Sequence, residues 1–567
     1  MGWLSCDNPR KDYCILNLVG RLQQDSVVPE SNIHCPDLRL KCRNSQDYAI
    51  AGNITGRCLS QSIVSCAQEG EATMNKAGRM TRREFVKGSG AAGLVIGAGG
   101  TALLEPAYSM PQQVSGGKTV REAARDVKVI READVVVVGG GPGGVGAAVS
   151  AARAGADTVL LERYGYLGGM GTGGLVTILP NMSDINGKMN IAGLCKEWVD
   201  RLDAREAADY PKKEHWGSDD KKLIKYYQDR SFFYVRMNRV ICAVHIDAEV
   251  SKCILNDMVN EAGVKTYMHA LGTQPIMEGN KVKGVIFESK AGRQAILAKV
   301  VIDSTGDGDF LPYTGAKFET QIDPKMRISA LAMCFWVANV DLKKVNEFKE
   351  TQPAKWSEQN KEIMKLGGQS GFITPNIKNQ DSLVWFHNRY PNKSQIDIEE
   401  LTRVEMEGRK KMLITHDYRK KYTPGFENSF IVLTCPELGC RGSRRMVGDY
   451  VLTAKDMAID RPFPDTIAIF PNVDKNETSE KYFNMYIPYR ALIPANVDNM
   501  LVACRAFSSD QTFQEYFNLI PHCMAFGQAA GTAAALSVKS SVDIRKVNIG
   551  ALQDSLSKQG VPLPDRA

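Results

Sequence analysis

The chain has 567 residues, 43% hydrophobic and 24% charged. That composition can bury a sizeable core and excludes a mainly disordered or fibrous chain. Its 71 basic and 64 acidic residues leave a formal net charge of +7, with no long Lys/Arg run, so no nucleic-acid partner is expected.

Residues 1–73 hold six of the 14 cysteines and show no sustained helical or strand period. They read as a disordered upstream extension, with the true start at Met74 or Met80; a small cysteine-rich domain is the alternative. Residues 74–109 read as a signal peptide. Met80-Thr81-Arg82-Arg83-Glu84-Phe85-Val86-Lys87 is a basic start, Ala91 to Leu104 is weakly apolar, and Ala107-Tyr108-Ser109 is a small-x-small cleavage site. The paired arginines resemble a twin-arginine signal, which exports folded proteins, so the mature chain is expected in the periplasm or outside the cell. No later stretch reaches the ~18 apolar residues of a membrane span. Residues 110–130 are polar and read as a linker.

Ala133 to Val138 is a β-branched run suited to a buried parallel strand. Gly139-x-Gly141-x-x-Gly144 follows, then an Ala-rich helix from Val145 to Ala154 and a second strand from Thr158 to Glu162. In such a βαβ unit Gly139 permits the tight turn, Gly141 lets backbone approach a pyrophosphate, and Gly144 lets helix pack on strand. The helix N-terminus offers partial positive charge to the phosphates. Glu162 stands where an acid would bind ribose hydroxyls. Further on, Asp247 to Ala262 reads as a helix and Val264–His269, Val282–Glu288 and Gln294–Ile302 as strands. Residues 316–480 lack a βα rhythm. The rhythm returns after Pro488, with a strand at Asn499–Ala503 and an Ala/Gly-rich helix at Pro521–Val538.

The Gly-rich loop Gly168–Val176, the turn Ile302–Asp309 and the tail Pro488–Ala535 together resemble the FAD-dependent oxidoreductases of the glutathione-reductase-like superfamily. So do the stretches Leu401–Arg409 and Ser443–Tyr450. The resemblance spans about residues 131–540. It implies an α/β fold: a discontinuous Rossmann-like FAD-binding domain of glutathione-reductase type with an inserted α+β substrate domain. The FAD-binding parts would be 131–190, 240–315 and 481–545. A substrate-side segment would occupy 191–239, the substrate domain 316–480 and a C-terminal segment 546–567. Carried over, Gly139, Gly141 and Gly144 would hold the pyrophosphate and Glu162 the adenosine ribose. Gly168, Gly169 and Thr172 would line the flavin side. Asp307 would meet the ribityl–pyrophosphate region, Asp303 in the same turn is a further cofactor-binding candidate, and Gly527 and Gln528 would lie near the helix that points at the isoalloxazine.

Flavin oxidation of an alcohol or C–H bond usually needs a base. His522, at the start of the flavin-facing helix, is the first candidate and His387 the second; Arg505 is a candidate substrate or flavin contact. Arg441, Arg444 and Arg445 could clamp a carboxylate. Cys435 and Cys440 have the spacing of a redox pair but not its place in the chain. No metal site is expected. No second G-x-G-x-x-G follows a strand, so the expected electron partner is a quinone, a cytochrome or another redox carrier rather than a nicotinamide. The expected function is oxidation or reduction of a small organic substrate, such as a sugar or polyol hydroxyl. The alternatives are reduction of an organic acid double bond, or a flavin-binding structural or electron-transfer subunit without turnover.

Overall fold

The computed structural model describes residues 118–375 and 382–565. The expected signal peptide (74–109) and the expected upstream extension (1–73) lie outside the described residues.

The Val-rich run becomes β1 (Lys128–Val138), followed by α1 (Pro142–Arg153) and β2 (Thr158–Leu161). The chain continues through α2 (Leu194–Asp203) and α3 (Ala248–Glu261) to β3 (Lys265–Tyr267), β4 (Leu271–Glu278), β5 (Lys281–Ser289) and β6 (Gly292–Asp303). β1 starts at Lys128, so the expected linker 110–130 ends earlier. Its first residues pair with β6, Lys128 opposite Gln294, and are therefore ordered by tertiary contact. β4 is the strand the pattern did not reveal. It is an edge strand, largely half-exposed and carrying Pro275, so it shows neither a continuous apolar run nor a clean alternation.

The main sheet has the order β3-β2-β1-β6-β5-β4. β3, β2, β1 and β6 run parallel; β5 pairs antiparallel with β6, and β4 pairs antiparallel with β5 and so runs in the direction of β6 again. β6 is long enough to serve two neighbours on its other edge. Its first half pairs with β5, and Val301–Asp303 pair with the late strand Met500–Val502.

A separate sheet forms within residues 331–440. It comprises β7 (Leu331–Ala338), β8 (Phe372–Pro375), β9 (Val384–Tyr390), β10 (Phe430–Thr434) and β11 (Gly439–Cys440), with the 25-residue helix α4 (Ile398–Tyr422) between β9 and β10. β7 is the central strand, flanked by β9 on one edge and by β10 and β11 on the other.

The expected border at residue 480 is corrected by the next hairpin. β12 (Thr466–Pro471) pairs antiparallel with β13 (Asn484–Pro488), so a border at 480 would split a hairpin. β12 is buried along its whole length and shares a core with the last helices. The chain closes with β14 (Met500–Val502), α5 (Gln511–Phe517), α6 (Ile520–Ser540) and α7 (Ile549–Lys558).

α1 and α6 pack backbone to backbone. A Cβ on Gly527 would lie 1.9 Å from the Gly143 carbonyl oxygen, and one on Gly531 would lie 2.0 Å from that of Ala147. The Gly/Ala composition of both helices is what this closeness requires. It fixes α6 against the first βαβ unit and sets where its N-terminus points. No helix among the described residues is long and apolar enough to cross a membrane.

Candidate functional site

The C-terminal ends of β1, β2 and β6 open onto a cavity of about 520 Å³. Gly139 has φ +96°, and a Cβ there would lie 2.4 Å from the Ser304 carbonyl oxygen. A Cβ on Gly144 would sit 1.6 Å from the Gly139 oxygen, because helix and turn touch. Gly141 differs: it faces the cavity, and no atom lies within 4 Å of a Cβ built there. Backbone is thus bared to open space at the start of α1, where the helix dipole favours an anion.

Glu162 closes the adjoining wall. One carboxylate oxygen accepts from the Gly140 amide at 2.5 Å and the other from the Tyr164 amide at 2.7 Å. Each oxygen keeps lone-pair capacity for a ribose hydroxyl. Burial raises its carboxyl above the usual range, while the two amides work against that shift. Tyr164 and Tyr166 stack at 5.3 Å beside it and line the same wall.

Asp307 lies between two donors, Arg505 at 2.6 Å and the Ser443 hydroxyl. Arg444 donates to the Asp307 carbonyl and to the Asp309 carboxylate. Glu437, Cys440, Cys504 and Cys523 complete the lining. Burial pushes the Cys440 and Cys523 thiols up to about 12, so neither is a thiolate at neutral pH. Among the described residues no group of three His, Cys, Asp or Glu could hold a metal.

Several expected cofactor contacts turn away from this cavity. Asp303 is fully buried and binds the Thr305 amide and hydroxyl and the Phe310 amide, holding the turn in shape. The Thr172 hydroxyl donates to the Leu167 carbonyl. Gly168, at φ +99°, packs against Thr172, whereas Gly169 does line the cavity. Gly527 is consumed by contact with α1. Gln528 binds the Leu194 amide and the Gln559 side chain, tying α6 to α2 and α7. The reason is common to all five: these are turn and helix-packing positions, and motif spacing cannot tell them from ligand contacts.

His522 also needs correction. It is fully buried, stacks on Phe470 at 4.2 Å, and its Nδ1 accepts from the Leu519 amide at 3.2 Å. It lines neither this cavity nor the one beside it. Burial lowers its pKa to about 3, so it stays neutral as a helix cap.

A second cavity of about 490 Å³ adjoins the first, sharing Met170, Cys440, Asn518 and Ile520 as lining. His387 lines it, as do Trp385, Phe233, Arg327, Arg389 and Arg441. Burial, with the charges of Arg441 and Arg389, holds His387 well below the usual imidazole range. The three neighbouring arginines divide: Arg441 goes to the second cavity, Arg444 to the first, and Arg445 is buried against Glu319 and the Gln321 carbonyl. Cys435 and Cys440 are free thiols, and Cys435 lines neither cavity.

Glu437 is a site residue that local sequence did not mark; only the fold brings it beside Glu162. Burial first, then the Glu162 charge, raise its carboxyl to about 7 from an ordinary 4.5. Between those values the folded state holds a proton that the unfolded state has lost. Stability therefore falls as pH rises from 4.5 to about 7, by about 3 kcal/mol at 1.36 kcal/mol per unit. Urea denaturation from pH 5 to 8 should show this decline in the wild type and a flatter profile in Glu437→Gln. Parallel profiles would remove the assignment.

A bared glycine turn at a helix N-terminus, beside a carboxylate at the end of the second strand, defines a dinucleotide-binding α/β protein. Residues 134–556 match the family model described as FAD dependent oxidoreductase, and the chain belongs to that family. It is a flavoenzyme, an FAD-dependent oxidoreductase. No curated protein matches it. Among solved structures, a geranylgeranyl bacteriochlorophyll reductase-like protein of Thermoplasma acidophilum is 14% identical with a TM-score of 0.37, over 76% of this chain and 83% of that one. A p-nitrophenol 4-monooxygenase of Pseudomonas putida is 12% identical with a TM-score of 0.39, over 76% and 88%. A myxobacterial chondrochloren halogenase is 12% identical with a TM-score of 0.36, over 76% and 79%.

Proposed function

We propose an exported dehydrogenase or reductase of glutathione-reductase-like type that holds FAD in the first cavity and a small organic substrate in the second. One observation carries this reading: the two cavities meet at Met170, Cys440, Asn518 and Ile520, beside the N-terminus of α6. FAD, when bound, takes up or gives a hydride at its ring. The chain's part is to seat and orient. Gly139, Gly141 and Gly144 would shape the turn that holds the phosphates, Gly169 lines the same cavity, and Glu162 would accept from ribose hydroxyls. Asp307, fixed by Arg505 and lining the same cavity, would help to hold the cofactor. The start of α6 offers its dipole to negative charge gathering nearby.

His387 is the catalytic candidate that lines the substrate cavity, and it is held neutral there. Arg505 acts through Asp307. In the second cavity the carboxylates a sugar or polyol could use as acceptors are taken, Asp474 by arginines and Glu515 by Arg327, which leaves the Asn181 amide oxygen. The same wall is rich in basic groups, which favours the organic-acid reading. The electron partner is taken to be a quinone, a cytochrome or another carrier.

The test is anaerobic flavin bleaching or reoxidation of the yellow holoprotein against sugar, polyol and enoate libraries, with NADH as a control. Turnover with a library member but not with NADH is expected. Rapid bleaching by NADH would overturn the electron-partner assignment, and a flavin inert to every donor and acceptor would favour a subunit without turnover. For export, Arg82→Lys with Arg83→Lys should leave the protein in the cytoplasm with its leader intact, read by fractionation and N-terminal sequencing; unchanged export would remove the twin-arginine assignment.

A further inference from the structure

Among the described residues that line it, the second cavity carries more basic than acidic groups. Arg236, Arg327, Arg389, Arg441 and Lys475 line it, against two carboxylates, Asp474 and Glu515. Both carboxylates are committed. Asp474 lies 3.0 Å from Arg236 and 3.3 Å from Arg327. Glu515 accepts from the Arg327 and Ile328 amides at 3.0 Å and lies 3.5 Å from the Arg327 Nε. Arg236 is further packed over the rings of Phe232 and Phe233.

Arg441 stands apart from these pairs. Its amide donates to Gln395, and its carbonyl accepts from Asn518, so its backbone is pinned at the junction of the cavities. Its guanidinium makes no ion pair and no hydrogen bond among the described residues, with Glu515 acting on it only at longer range, and its Nε is buried without a partner. An arginine carries five donors, and a buried cation left unpaired is strongly unfavourable. Burial, with Arg327 and Arg389 nearby, lowers its pKa to about 9, far from the usual arginine value. Trp385, Phe233 and Ile178 give the same cavity an apolar and aromatic wall.

We propose that this cavity binds the carboxylate of the substrate, with Arg441 as its bidentate partner and the rest of the molecule against the Trp385–Phe233 wall. A planar guanidinium fork matches a carboxylate, and the bound carboxylate provides the counter-charge that the described residues do not supply to Arg441. The substrate class is then a small organic acid carrying an apolar or aromatic body. This rests on FAD occupying the first cavity, because the shared lining places the bound acid next to the cofactor.

The test titrates the FAD-loaded protein with cinnamate, cinnamamide and inorganic phosphate, by calorimetry and by the shift of the flavin absorption band. Cinnamate should bind and perturb the band, and the amide should bind about 10- to 100-fold more weakly. Arg441→Gln should weaken cinnamate by a similar factor at unchanged FAD content, and Arg441→Met serves if the first variant folds poorly. Neither variant should melt below the wild type, since each removes an unpaired buried charge. Loss of flavin from the wild-type protein would strike the underlying reading. Full FAD content with cinnamate and cinnamamide bound equally would overturn this inference alone. So would phosphate binding that depends on Arg441 without any carboxylate binding.

Discussion

Gly141→Val should give a folded protein that carries no FAD. Gly141 has φ −66° and ψ −176°, a conformation open to any residue, and a Cβ there meets nothing within 4 Å. The fold does not need this glycine. The side chain would instead project into the space where the chain bares its backbone to the pyrophosphate, and block that approach. The neighbouring glycines behave oppositely. A Cβ on Gly144 would overlap the Gly139 oxygen at 1.6 Å, so Gly144→Val should not yield soluble protein. Absorbance near 450 nm and the flavin released on denaturation read the first effect, and soluble yield with circular dichroism reads the second. A yellow Gly141→Val protein would show that the pyrophosphate lies elsewhere.

The second large effect is expected at Asp307. Its carboxylate is 2.6 Å from Arg505, and both side chains are 12% exposed, so the pair is nearly dry. Asp307→Asn leaves the Arg505 cation without its counter-charge and should cost about 3–5 kcal/mol. Pairing it with Arg505→Met removes both charges and should recover much of that loss, because the penalty belongs to the unpaired ion rather than to the missing contact. Urea denaturation of the wild type, both single variants and the double variant measures the coupling. Additive losses would show that the two groups do not act as a pair. Flavin content in the same series tells whether Asp307 also holds the cofactor.

Sequence by itself determined the first βαβ unit. A β-branched run, a glycine turn, an Ala-rich helix and a terminal Glu162 are consecutive, so local propensity and pattern suffice. Helix α6 was equally plain from its composition. The family resemblance supplied the cofactor, which composition could not. Tertiary structure alone decided which motif residues face the cavity. Gly141, Gly169, Glu162 and Asp307 do, while Asp303, Thr172, Gly168, Gly527 and Gln528 spend their groups on turns and helix contacts. His522 had the right place on its helix and points into aromatic packing instead, because the close approach of the Gly527–Gly531 face to α1 fixes how the helix is turned, and that packing is not visible in the motif. The second cavity was illegible for a simpler reason. Its wall draws on residues from Met170 to Ile520, and only the docking of the second sheet against the start of α6 brings those distant positions to one surface.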